Sequence, residues 1–141
     1  AHYVEGIQRH AQEMGVRLII VGPVPSDSVA QTLSTADIVF VGVEPVVDSY
    51  TLALPNKFFE ALMSERPVLF PALSEMLKIT HDTDGTFPFD PDDLYSLRLQ
   101  LDEALQVASG RSYPRNRNFS WRSEADVLLS GYAHITEEVP G

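Results

Sequence analysis

The sequence predicts an α/β protein, a doubly wound, Rossmann-like layer around a parallel sheet. Three observations predict it. Short uncharged apolar runs recur, Leu18-Ile19-Ile20-Val21, Ile38-Val39-Phe40-Val41 and Val68-Leu69-Phe70, and such continuous runs suit parallel strands covered on both faces. Stretches with helical spacing of apolar residues alternate with those runs. Glycine and proline mark several of the changes from one pattern to the other. Strands alternating with helices place the helices on the faces of one sheet.

Taken in order, Val4, Ile7, Ala11 and Met14 recur at helical spacing and Gly15 follows as a stop, so residues 2–14 are predicted to form an amphipathic helix. The first strand is expected at 18–21, and Gly22-Pro23-Val24-Pro25 is a turn. Ser26 is placed to cap a short helix carrying Val29 and Leu33, and the second strand follows at 38–41. A loop from Gly42 to about Leu54 leads to a helix over 55–64, then to the third strand at 68–70. Residues 72–90 show less regularity. Asp90-Pro91-Asp92-Asp93 predicts a helix start with Asp90 as cap, and Leu94, Leu97, Leu101 and Leu105 mark its expected buried face. Beyond a polar, basic loop, Ser120 is expected to cap a last helix, within 119–138, with Trp121, Ala125, Leu128, Tyr132 and Ile135 on one side.

Length and composition narrow the function. A chain of 141 residues suits one domain with a real core. Its 44% hydrophobic and 21% charged content is ordinary for a soluble globular protein. No apolar run approaches the roughly 20 residues that span a bilayer, and no secretory leader pattern opens the sequence. Absence of cysteine excludes disulfides and thiolate metal sites. A net charge of −10, with Lys57 and Lys78 the two lysines, argues against a nucleic-acid binder, which needs a basic face.

Against that acidic background one segment stands out. Pro55 begins a helix, Asn56 and Lys57 lie in its first turn, and Glu60 is one turn on from Lys57. Free N–H groups at a helix start attract phosphate, and Lys57 adds a full charge there. Glu60 falls on about the same side, where a carboxylate can accept from both hydroxyls of a ribose. In an α/β sheet, ligands bind beyond the carboxyl ends of the strands. The Lys57 helix follows one such end, at Val43.

The segment from Leu54 to Leu62, closed by Arg66-Pro67-Val68-Leu69, resembles the donor-binding helix of group 1, family 4-like glycosyltransferases of the GT-B fold. Pro55, Lys57, Glu60, Pro67 and Val68 fall in register with that family's pattern. Upstream, Gly22-Pro23-Val24-Pro25-Ser26, Val29, Leu33 and Ala36-Asp37-Ile38 resemble its Gly-x-Val-Pro, helix, Ala-Asp-Val run. Downstream, the resemblance continues through Gly85, Phe89-Asp90, Asp92-Asp93-Leu94 and Phe119-Ser120-Trp121. It rests on the order and spacing of these pieces over most of the chain.

The resemblance implies transfer of a sugar, with retention, from a nucleoside diphosphate sugar to an acceptor. It implies that Pro55, Asn56 and Lys57 meet the donor diphosphate and that Glu60 meets the ribose. Gly22, Val24, Pro25 and Ser26 would border the base, and Tyr50, Thr51 and Leu52 would lie near the sugar. It implies no metal and no other cofactor, since a helix start and basic residues take the phosphate charge. Asp82-Thr83-Asp84, beside His81, imitates the metal-binding pair of the other major glycosyltransferase fold but reads better as a polar turn.

Two positions depart from the family pattern. Leu52 replaces a glutamate that touches the donor sugar, and Glu65 replaces a glycine. If a left-handed helix end is kept at position 65, a non-glycine residue costs roughly 1 kcal/mol there. The family's domain also opens with two further strands and is joined to an N-terminal domain that binds the acceptor. Residues 1–141 are therefore expected to be a single, partial donor-binding domain of a longer enzyme, cytoplasmic or peripheral to the membrane. The last helix is expected to run towards that N-terminal domain. No catalytic base is identified, and the isolated piece is expected to be inactive, marginally stable and prone to self-association. A sugar-nucleotide epimerase of the same fold, and a non-catalytic domain kept for protein contacts, are the alternative readings.

Overall fold

The computed structural model describes residues 2–43, 54–108, 125–126 and 129–130. It is an α/β structure with a small, open, three-stranded sheet, all parallel, in the order β1-β2-β3. The elements are α1 (His2–Glu13), α2 (Val29–Leu33), β1 (Val39–Phe40), α3 (Asn56–Leu62), β2 (Val68–Pro71), α4 (Ser74–Thr80), β3 (Thr86–Phe89) and α5 (Leu94–Ala108). Val39 pairs with Val68 and Phe40 with Leu69, while Val68 to Pro71 pair in step with Thr86 to Phe89.

The core lies under α3 and α4. Alternate strand residues Val39, Val41, Val68 and Phe70 share it with Phe58, Ala61 and Leu62 of α3 and with Leu73 and Met76. Side chains two apart on a strand share a face, so both crossover helices cover the same side. Right-handed crossovers between successive neighbours require that arrangement. The opposite parity is buried too, at Leu69 and Phe89. There α5 packs against β2 and β3 and contributes the buried Ala104 and Ala108. Among the described residues no helix is long and apolar enough to cross a membrane.

Several predicted elements hold. α1 ends where Gly15 was expected to stop it. Gly15 takes φ 66°, its N–H donates to Gln12 O, and the Val16 N–H donates to Ala11 O, which is the paired closure of a left-handed helix end. The strands at 38–41 and 68–70 and the helix at 55–64 appear as β1, β2 and α3. Ala125, Asp126, Leu129 and Ser130 are helical, in the region of the expected last helix. The rest of that helix, the basic loop before it, and Tyr50, Thr51 and Leu52 lie outside the described residues.

Other expectations are corrected. The 18–21 run forms no strand, and its four side chains are 41–68% exposed. An apolar run becomes a strand only when a neighbour completes its ladder, and none of β1 to β3 pairs with it. Ser26 is not a cap: the residue before α2 is Ser28, whose carbonyl accepts from the Thr32 N–H. The interval 72–90 is more regular than expected, for it holds α4 and β3. Leu73 precedes α4 without a side-chain cap, and Pro88 breaks the apolar pattern of β3, so neither gave a signal.

The acidic start before α5 also works differently. Asp93 is the cap, accepting from the Tyr95 N–H at 2.9 Å. Asp90 closes the preceding turn, where its carbonyl accepts from the Asp93 N–H and its carboxylate from the Asp92 N–H. The buried face of α5 is rotated from the predicted one. Leu94 is 83% exposed, Leu101 and Leu105 are exposed, and Ala104 is fully buried. Small residues let the helix axis approach the sheet closely; Leu97 is half-buried, and Leu94, Leu101 and Leu105 are left along the outer side.

Candidate functional site

All three strands run the same way, so their carboxyl ends share one rim of the sheet. α3 returns from the rim end of β1, so its first turn stands at that rim. Pro55 precedes it in extended conformation, φ −70° and ψ 143°, with no side-chain cap. Its carbonyl accepts from the Phe58 N–H at 2.8 Å. The helix is only seven residues long, so its dipole is small and a fixed cation counts for more.

Packing decides which residues of α3 face outward. Phe58, Ala61 and Leu62 are buried. The Phe58 ring meets that of Phe70 at 4.9 Å between centroids, which fixes the rotation of α3 about its axis. With that face committed, Asn56 and Lys57 are exposed and Glu60 lies half-buried at the border. Lys57 and Glu60, three positions apart within this helix, lie on adjacent parts of its surface.

Lys57 reaches back across the rim. Its Nζ donates to Gly42 O at 2.6 Å, just beyond the carboxyl end of β1. This holds the ammonium at the rim rather than leaving it free in solvent. An ammonium has three N–H donors, so one bond to Gly42 leaves two for a ligand. The bond also satisfies a carbonyl at the end of a strand, which is a structural role in its own right. Nothing in the sequence marks Gly42 as this partner, fifteen positions away.

The base-bordering candidates sit less directly. Gly22, Pro25 and Ser26 are exposed and Val24 is half-buried. Pro25 O accepts from the Ser28 N–H, which turns the chain into α2, and α2 packs against α3. The link from this run to the Lys57 side is therefore through α2. A second tie was not foreseen: Arg66 Nε donates to Ser34 O at 2.6 Å, joining the end of α2 to the turn before β2. At that turn Glu65 takes φ 59°, the left-handed conformation anticipated for the position.

Asp82, Asp84 and His81 lie on the exposed turn between α4 and β3. His81 Nδ1 lies 2.8 Å from Asp82 Oδ1, both side chains exposed. No group of three or more histidine, aspartate or glutamate side chains that could hold a metal is present among the described residues.

The class that fold and site define is an α/β protein with a three-stranded parallel sheet, consistent with a Rossmann-like layer, and a lysine held at its carboxyl rim. Comparison with protein-family models, curated proteins and solved structures gives no significant match to this chain.

Proposed function

We propose that the rim at Lys57 binds the diphosphate of a nucleoside diphosphate sugar, and that the chain is the donor-binding portion of a retaining glycosyltransferase of the GT-B kind. On this reading the three strands belong to a doubly wound layer. Lys57 and the amides of Asn56 and Lys57 receive the diphosphate, and Glu60 accepts from the ribose hydroxyls. The 22–26 run borders the base, and Tyr50, Thr51 and Leu52 lie towards the sugar. Acceptor binding and the catalytic base are assigned to a further, N-terminal domain.

The observation that carries the reading is the Lys57 ammonium, 2.6 Å from Gly42 O beyond β1, with Glu60 one turn further along the same side. Cleavage of a sugar–phosphate bond leaves negative charge on the diphosphate. A cation already in place at the leaving group stabilises that charge without reorganising. The order of the resembling segments supports the same assignment.

Calorimetric titration of the chain with UDP and with GDP, each beside its nucleoside, tests the reading. The expected result is binding of at least one diphosphate, more tightly than its nucleoside. Failure of both diphosphates to bind would favour a domain that keeps the fold for protein contacts alone.

A further inference from the structure

The two faces of the sheet are covered unequally. On one, Val39 and Val41 are buried in the core with α3. On the other, α5 packs against β2 and β3, and Phe40 of β1 remains 58% exposed. Its ring is nevertheless held. Phe40 stands level with Leu69 and Phe89 with Pro71, so Phe89 lies two residues nearer the carboxyl rim. The two rings stack across that offset, 5.9 Å between centroids and 16° between planes, a separation typical of offset stacking. Phe40 therefore leans along its strand towards the rim. Gly42 shows the same lean, for a Cβ placed on it would come 3.1 Å from Phe40 Cε1 and 3.8 Å from Cζ. A side chain at position 42 would crowd the ring, and glycine admits it.

Gly42 is also the residue whose carbonyl accepts from Lys57 Nζ at 2.6 Å. An aromatic ring and an ammonium thus flank one residue at the rim. Phe89 takes one face of the ring, so the exposure of Phe40 falls on its other side. The ammonium keeps two of its three donors. A nucleotide carries the complementary pair, a flat base and an anionic phosphate joined through one ribose. The run Gly22-Pro23-Val24-Pro25-Ser26 contains no aromatic residue, so it can border the edge of a base but offers no ring to its face.

We propose that Phe40 is the stacking surface for the base of the nucleotide whose diphosphate Lys57 receives, an inference that rests on the phosphate assignment above. Its ring is already positioned by Phe89 and by the bare Gly42, so little side-chain freedom is lost on binding. Every base has a π-face. Phe40 therefore supplies affinity and orientation, and discrimination among bases is left to groups that meet their edges.

The experiment is calorimetry of the full chain, Phe40→Leu and Phe40→Tyr. Each is titrated with whichever of UDP and GDP binds the unsubstituted chain more tightly, with its nucleoside, and with inorganic pyrophosphate. Phe40→Leu is expected to weaken diphosphate and nucleoside by the same factor, roughly 5- to 100-fold, and to leave pyrophosphate unchanged. Phe40→Tyr keeps a ring and is expected to keep the affinity. Lys57→Ala gives the opposite pattern, a loss for diphosphate and pyrophosphate but not for the nucleoside. In the unsubstituted chain, NMR is expected to show the Phe40 ring protons shifting with the nucleoside diphosphate and not with pyrophosphate, a readout that needs no variant to fold. If Lys57→Ala weakens the diphosphate and Phe40→Leu does not, the stacking role is overturned and the phosphate assignment stands. A loss of pyrophosphate binding in Phe40→Leu also overturns it, because the ring would then act by shaping the rim. Failure of the unsubstituted chain to bind any of the three ligands removes both assignments.

Discussion

Lys57 and Glu60 lie where the packing of α3 leaves side chains at the surface or at its border. Phe58 at full burial sets the rotation of α3, and Lys57 then reaches back to Gly42 O. Glu60 keeps a half-buried place at the border of the same side. A carboxylate accepts from both ribose hydroxyls, whereas an amide presents a donor to one of them. Glu60→Gln is therefore expected to narrow the preference for ribo- over 2′-deoxynucleoside diphosphates in a competition assay. An unchanged preference would remove the ribose role. Glu65 offers a separate test, of stability alone. Its φ of 59° places a side chain in the region that glycine occupies freely. Glu65→Gly is expected to raise the unfolding free energy by up to about 1 kcal/mol in denaturant melts. A loss of stability would mean that the glutamate's own contacts outweigh the backbone strain.

At the scale of elements, the sequence was most legible where apolar runs met a partner. β1, α3 and β2 stand within a residue or two of their expected places because pattern and packing agree there. The 18–21 run has the same pattern and forms no strand, since a parallel strand depends on a neighbour that local sequence does not supply. β3 was hidden for the opposite reason. Its neighbour is present, but Pro88 interrupts the pattern, as an edge strand allows. In α5 the leucine spacing pointed to a stripe of which Leu97 is half-buried and the other three leucines are exposed, because alanines at 104 and 108 make the close approach to the sheet. Ala104→Leu is accordingly expected to cost about 1–3 kcal/mol by overpacking. Leu94→Ala, at an 83% exposed position, is expected to change stability by no more than about 0.5 kcal/mol. Thermal and denaturant melts of the two variants check the rotation of the helix, and the reverse order of effects would contradict it.

For the whole molecule, topology brings a helix start to the rim of the sheet. Three parallel strands gather their carboxyl ends at one rim, and the crossover from β1 returns Lys57 to it. The rim was legible in advance because it follows from the alternation of elements. Gly42 as the lysine's partner was not, since it depends on how α3 rotates and where β1 stops. A charge of −10 sets the background against which an anionic ligand must bind, so a cation fixed at the rim carries much of the local attraction. Lys57 is the residue proposed to receive phosphate. Calorimetry of the unsubstituted chain and of Lys57→Ala, each titrated with a nucleoside diphosphate and with its nucleoside, tests it most directly. Lys57→Ala is expected to weaken the diphosphate by roughly 1.5–3 kcal/mol, the worth of one charge-assisted hydrogen bond, and to leave the nucleoside nearly unchanged. Equal losses for both ligands, or none for either, would contradict it.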